Sequence, residues 1–187
     1  MLPQKNYEEI VFGGGCFWCT EAVFLQLKGV IQVTSGYAGG DPPAGGENPT
    51  YEKVSTGRTG HAEVIKIKYD PEILSFRQLL EVFFSAHDPT QLNGQGNDIG
   101  PQYRSIILYT TGDQKAEAEK YIRELTTLKK YKNPIKTELR PLKEFYRAED
   151  YHQDYFARNP AQPYSQAVIQ PKVDKLKNEH SELLKDF

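Results

Sequence analysis

Residues His61 to Tyr69, "HAEVIKIKY", alternate in character: Glu63, Ile65, Ile67 and Tyr69 share one face and Val64, Lys66 and Lys68 the other. That period of two predicts a strand with one face in the core. From Ser75 to Ala86 the spacing turns helical, with Phe76, Leu79, Leu80 and Phe83 forming an apolar stripe and Ser75 placed as N-cap. The same two periods predict a strand over Glu8 to Phe12 that runs into three glycines. A helix follows from about Cys16 through Val23, Phe24 and Leu27, which Gly29 ends in a left-handed cap, and then a strand over Val30 to Tyr37. Arg104 to Tyr109 reads as a strand, Asp113 to Lys130 as a charged helix, and Thr137 to Leu139 as a short strand. Two long glycine-rich loops interrupt the series, one from Gly39 to Gly60 with a helical turn near Tyr51 to Ser55, the other after His87. Loops of this length are usually functional or disordered. A C-terminal extension from about residue 148 holds a helix near Ala148 to Ala157, an extended stretch marked by Pro160, Pro163 and Pro171, and a helix near Lys172 to Leu184.

Strand, helix, strand, then strand, helix, strand is the order of the split βαβ arrangement. The expected class is α+β: a ferredoxin-like split βαβ core, an antiparallel or mixed sheet covered by helices, with long loops and a C-terminal extension. The 187 residues suffice for one core, so a single domain over 1–187 is expected. Lysine and arginine total 23 against 25 acidic residues, which offers no electrostatic reason to expect nucleic acid or an anionic membrane as partner. No apolar run is long enough to span a bilayer, and "MLPQKNYEEIVF" lacks the basic and apolar regions of a secretory leader. The expectation is a cytoplasmic monomer.

With the partners left to site chemistry, "GGGCFWCTE" at Gly13 to Glu21 becomes the centre of interest. Two cysteines three apart stay thiols, share a metal or form a disulfide, and a bridge over so short a loop adds little stability. If the glycines make a strand-to-helix turn, Cys16 lies at the helix N-terminus, where free N–H groups and the macrodipole favour an anion. Such a site can lower a thiol from about 8.5 into roughly the 3.5 to 7.5 range. Cys16 is then expected to attack and Cys19, one turn on, to resolve. A buried structural pair is the plainer reading. Zinc needs four ligands, and neither a second cysteine pair nor a closely spaced histidine pair exists to complete them, so no metal is expected. Glu63 shares its strand face with Ile65 and Ile67; on the core side its carboxyl is desolvated and suited to be a general acid, whereas at a strand end it reaches solvent. Phe17 and Trp18 fill the core or line an apolar pocket beside the cysteine.

Together "GCFWCTE", "GYAGG", "NPTYEKVSTGRTGHAEVIKIKYDP", "HDPTQLNGQGNDIGPQYRS" and "AEDYHQDY" resemble the type A peptide methionine sulfoxide reductases, from Phe12 to about Pro163. The resemblance implies reduction of methionine-S-sulfoxide, free or in oxidised proteins. It implies Cys16 as the nucleophile that becomes a sulfenic acid and Glu63 as the acid that protonates the sulfoxide oxygen. Tyr51 and Tyr103 are implied as donors to that oxygen, Phe17 and Trp18 as the seat of the S-methyl group, and Asp98 as a residue that orients the substrate. Many family members carry resolving cysteines in the tail; this one has Ser165 there and no cysteine after Cys19. Resolution then falls to Cys19, with thioredoxin reducing the disulfide, or directly to an external thiol. A bound organic cofactor is not expected. A general C-x-x-C thiol-disulfide oxidoreductase is the alternative.

Overall fold

The computed structural model describes residues 6–41 and 48–186. The first residues of the N-terminal stretch and the middle of the first glycine-rich loop, both read above from sequence, lie outside the described residues.

The alternating segment forms β3 (Ala62–Tyr69), flanked by β1 (Glu8–Gly14) and β2 (Val30–Ala38), both antiparallel to it. On the far side of β1 lies β6 (Ser105–Tyr109), also antiparallel. This β6-β1-β3-β2 order is the ferredoxin-like core. Between β1 and β2 runs helix α1 (Phe17–Phe24), and between β3 and β6 runs α3 (Phe76–Ala86). The Ser75 side chain accepts the Gln78 N–H while Gln78 reaches back to the Ser75 N–H, a reciprocal cap that sets the start of α3. α2 (Tyr51–Ser55) is the short turn in the first loop, and β4 (Gly94–Gln95) and β5 (Asp98–Ile99) form a small hairpin in the second. α4 (Gly112–Thr127) leads to β7 (Glu138–Pro141), parallel to β6, and β8 (Phe145–Arg147) pairs with β2.

The sheet therefore carries six strands with β7 and β8 at opposite edges. Only residues 142–144 join those edges, a reach of about 14 Å, whereas six flat strands would span roughly 24 Å. The sheet must curl. Arg140 of β7 donates to the Gly39 carbonyl at the end of β2 at 2.9 Å, which shows the edges drawn together. Inside the curl Val11, Val64, Ile106 and Leu108 are buried under Leu142 and Phe145. The other face packs Phe12, Ile65 and Ile67 against Phe24, Leu79 and Phe83, with the Phe12 ring stacked on Phe83 at 4.5 Å.

Several expected boundaries are corrected. α1 ends at Phe24, and Gly29 (φ 82) instead turns the chain into β2, where any Cβ would lie 2.8 Å from Leu74. Every residue of α1 except Trp18 is buried, so the apolar run through Leu27 continued past the real helix end. The expected helix over 148–157 is a 3₁₀ turn (Asp150–His152) followed by α5 (Tyr155–Arg158). The stretch expected to be extended already winds at Ser165–Ile169 and continues into α6 (Gln170–Glu179), with a separate 3₁₀ turn at Ser181–Leu183.

Candidate active site

The chain crosses from β1 to α1 through Gly15, whose φ of 96 favours glycine, and a Cβ there would sit 2.8 Å from Gln95. Cys16 follows as the N-cap residue of α1 with extended backbone (φ −59, ψ 127). Its carbonyl accepts the Cys19 N–H at 3.1 Å, closing a turn. Such turns keep their first and fourth α-carbons within about 7 Å, near the range a disulfide needs. Because Cys16 already lies outside the helical backbone, bridging the pair does not require α1 to unwind. Both cysteines are reduced and buried here.

β3 brings Glu63 to the same place. It is 2% exposed, and its Oε2 accepts the Phe17 N–H at 3.1 Å, occupying the first free donor of α1. Burial pushes its carboxyl up to about 8, against the lowering effect of that hydrogen bond. At neutral pH Glu63 is therefore mostly protonated and able to donate.

The thiols differ from the expectation. Burial, with the Cys19 contact and the Glu63 charge behind it, pushes Cys16 well above an ordinary thiol, while the hydrogen bond with Cys16 brings Cys19 down to about 7. The helix terminus does not prevail at Cys16, because desolvation is larger and Glu63 occupies the N1 donor. Of the two thiols Cys19 is the one favoured to lose its proton first, with the Cys16 thiol as its hydrogen-bond donor. A far-ultraviolet thiolate titration of the reduced protein is thus expected to show a first step near pH 7. Cys16→Ala should move that step upward by removing the donor; an unmoved step would contradict the shared proton.

Around the sulfurs lies an aromatic cage. Phe17 is 1% exposed and packs at the back, 4.9 Å from the His152 ring and 5.9 Å from Tyr37. Trp18 is half-buried on the open wall; its indole N–H donates to His152 Nδ1 at 3.0 Å and its ring lies flat on Tyr155 at 3.6 Å. That bond leaves the His152 proton on Nε2, the neutral form that burial also favours. Tyr51 begins α2, its N–H held by Glu149 at 2.9 Å and its ring 4.6 Å from His152. Tyr103 ends the 3₁₀ turn Pro101–Tyr103. Both phenols are raised, first by burial and then by the Glu63 charge they face, so both remain donors at neutral pH. Asp98 on β5 accepts the Tyr164 hydroxyl at 2.8 Å, and that hydroxyl is 3.8 Å from Cys19 Sγ. Beyond Asp98 and Tyr164 opens a cavity of about 840 Å³, also lined by Gln95 and Lys172. The Lys172 charge contributes to lowering Cys19.

Every sequence-nominated residue thus lies in or against one site. Residue-by-residue reading missed His152, Tyr155 and Tyr164. The first two sit within "AEDYHQDY", where aromatic density was the available signal, and Tyr164 directly precedes Ser165. Among the described residues no group of three or more His, Cys, Asp or Glu side chains converges as a metal site.

Known proteins resemble this chain in sequence and fold. Residues 8–184 match the sequence profile of the family described as peptide methionine sulfoxide reductase. The peptide methionine sulfoxide reductase MsrA of Nautilia profundicola is 57% identical over 173 residues, covering 91% of this chain and 96% of that protein. The reduced form of Mxr1 from Saccharomyces cerevisiae superposes with a TM-score of 0.76 at 34% identity, covering 83% of this chain and 87% of the other. Mxr1 in complex with Trx2 aligns with a TM-score of 0.54 at 25% identity, covering 80% and 84%. With its cysteine pair, buried acid and aromatic cage set in a fold and sequence so matched, this chain belongs to the peptide methionine sulfoxide reductase family.

Proposed function

We propose that the chain reduces methionine-S-sulfoxide, free or in proteins, using its own thiol pair and thioredoxin as the final reductant. The observation that carries this reading is the buried Glu63 carboxyl held at the start of α1 by the Phe17 N–H, beside the Cys16 and Cys19 thiols.

The Cys16 thiol passes its proton to the Cys19 thiolate along their hydrogen bond as its sulfur attacks the sulfoxide sulfur. Glu63 gives a proton to the sulfoxide oxygen, with the Tyr51 and Tyr103 hydroxyls as further donors. Those donors matter most in the transition state, where the oxygen becomes more basic. Methionine leaves, Cys16 carries the oxygen as a sulfenic acid, and Glu63 is left as a carboxylate. Cys19 then attacks the sulfenic sulfur, and its proton departs with the hydroxyl as water, giving the disulfide. Thioredoxin reduces that disulfide. The Trx2 complex belongs to Mxr1 and supports the same partner class here. The Lys172 charge, which helps lower Cys19, favours that sulfur as the leaving thiolate when the disulfide is reduced.

A sulfoxide sulfur is a stereocentre, so separate seats for methyl at Trp18, oxygen at Glu63 and chain at Asp98 permit attack on one epimer. With thioredoxin supplied, the S epimer is expected to turn over and the R epimer to stay at background. Equal rates on both would sink this reading.

A further inference from the structure

Glu21 lies two residues past Cys19, is 1% exposed, and takes no part in the chemistry above. Its carboxylate is fully engaged with two other parts of the fold. Oε1 accepts the Ser35 hydroxyl of β2 at 3.1 Å, and Oε2 accepts the Tyr155 N–H at 3.3 Å, with the Asp154 N–H bonding to it as well. Asp154 is held in the left-handed region (φ 52) and gives α5 no side-chain cap, so Glu21 supplies the partner that the helix start lacks. Next to it Gln153 accepts the Ser35 N–H and donates to the Ser35 and Ala148 carbonyls, each at 3.0 Å. Residues 153–155 are thus tied by buried polar bonds to α1 and β2. The nearby charge is that of Asp154, itself 3.9 Å from Arg158; burial leads the upward push on Glu21, to about 7. Such a buried acid costs stability unless its bonds hold something in place. What they hold is the backbone of Tyr155, whose ring lies against Trp18 with an interplanar angle of 4°.

We propose that Glu21 is a positioning residue that acts through Tyr155, holding that ring on Trp18 so that the methyl seat keeps a fixed place relative to Cys16. The kinetic side of this rests on the proposed function; the packing side does not. Trp18 is the only tryptophan, so its emission reports the stack directly.

Glu21→Ala leaves the Ser35 hydroxyl and two backbone N–H groups without their acceptor. It is expected to raise KM for the S-sulfoxide at least about tenfold while kcat changes less than about threefold, and to red-shift Trp18 emission. Glu21→Gln should restore both, because its amide oxygen can accept the Tyr155 N–H while its amide nitrogen donates to Ser35 Oγ. Tyr155→Ala should reproduce the alanine phenotype, and the double variant should be no worse than either single one. Wild-type KM and emission in Glu21→Ala would overturn the proposal, as would effects of the two substitutions that multiply. If Glu21→Ala does not fold, Glu21→Asp, whose carboxylate is drawn back from the Tyr155 N–H, takes its place in the same cycle. Should the protein reduce no sulfoxide, the function reading fails, yet the emission cycle still confirms or rejects Glu21 acting through Tyr155.

Discussion

Replacing Cys16 by serine stops methionine formation, with kcat falling by at least about 10⁴-fold. A serine hydroxyl gives up its proton far less readily than a thiol and forms no stable oxygen-bearing state that a second thiol can resolve. Cys19 does not substitute, since it lies one turn into α1 against the Tyr164 hydroxyl, whereas the Glu63 carboxyl is held at the N–H of Phe17, the residue that follows Cys16. Cys19→Ser removes both the proton acceptor of the first half of the cycle and the resolving sulfur of the second. That variant should release one methionine per chain, more slowly than wild type releases its first, and then stall with thioredoxin as the sole reductant. Sustained cycling at the wild-type rate would assign resolution to an external thiol instead.

Glu63→Gln lowers kcat by roughly 10²- to 10⁴-fold, the usual contribution of a positioned general acid. The amide keeps the bond to the Phe17 N–H through its oxygen but cannot surrender a proton to the substrate. The same substitution stabilises the fold. With the folded carboxyl at about 8 and an unfolded one at about 4.3, the unfolded chain loses its proton first as pH rises. Wild-type stability therefore falls from about pH 4.5 toward pH 8 on account of this group, and glutamine removes that loss. At pH 7 the gain is on the order of 3 kcal/mol, readable from denaturant midpoints at several pH values. A variant no more stable than wild type at pH 7, or with the same pH slope, would contradict the buried neutral acid. An active site that gains stability when its acid is removed carries that acid for function.

What the chain revealed in advance follows from the range of the interactions involved. β3 and α3 were legible because each carries its own evidence: Ile65 and Ile67 alternate with lysines, and Ser75 with Gln78 closes a local cap. α1 was legible in kind but not in length, since a helix buried nearly all round has no polar face to mark its end. The edge strand β8 was missed because three residues leave no period to read; its place depends on pairing with β2, more than a hundred residues earlier. The tail was misread for a similar reason. Gln153 and Tyr155 take their conformation from Ser35 and Glu21, so local propensity had little to say.

In the site, Cys16 and Glu63 could be nominated from a glycine turn and from strand parity. Which of the two thiols is the more acidic could not. The helix-terminus argument was local, whereas the result depends on burial and on the Glu63 carboxyl brought from β3 to cap the helix. Phe17 and Trp18, adjacent in sequence, also part company: one is sealed behind the site against Tyr37 and the other stands on its wall.

The central claim is that one sulfur takes the oxygen and its neighbour closes the cycle. The direct measurement mixes reduced protein with methionine-S-sulfoxide in the absence of any reductant and counts both products. The expected result is one methionine per chain, loss of both thiols, and a peptide map showing a Cys16–Cys19 disulfide. Methionine formation with both thiols intact, or thiol loss without methionine, would contradict it.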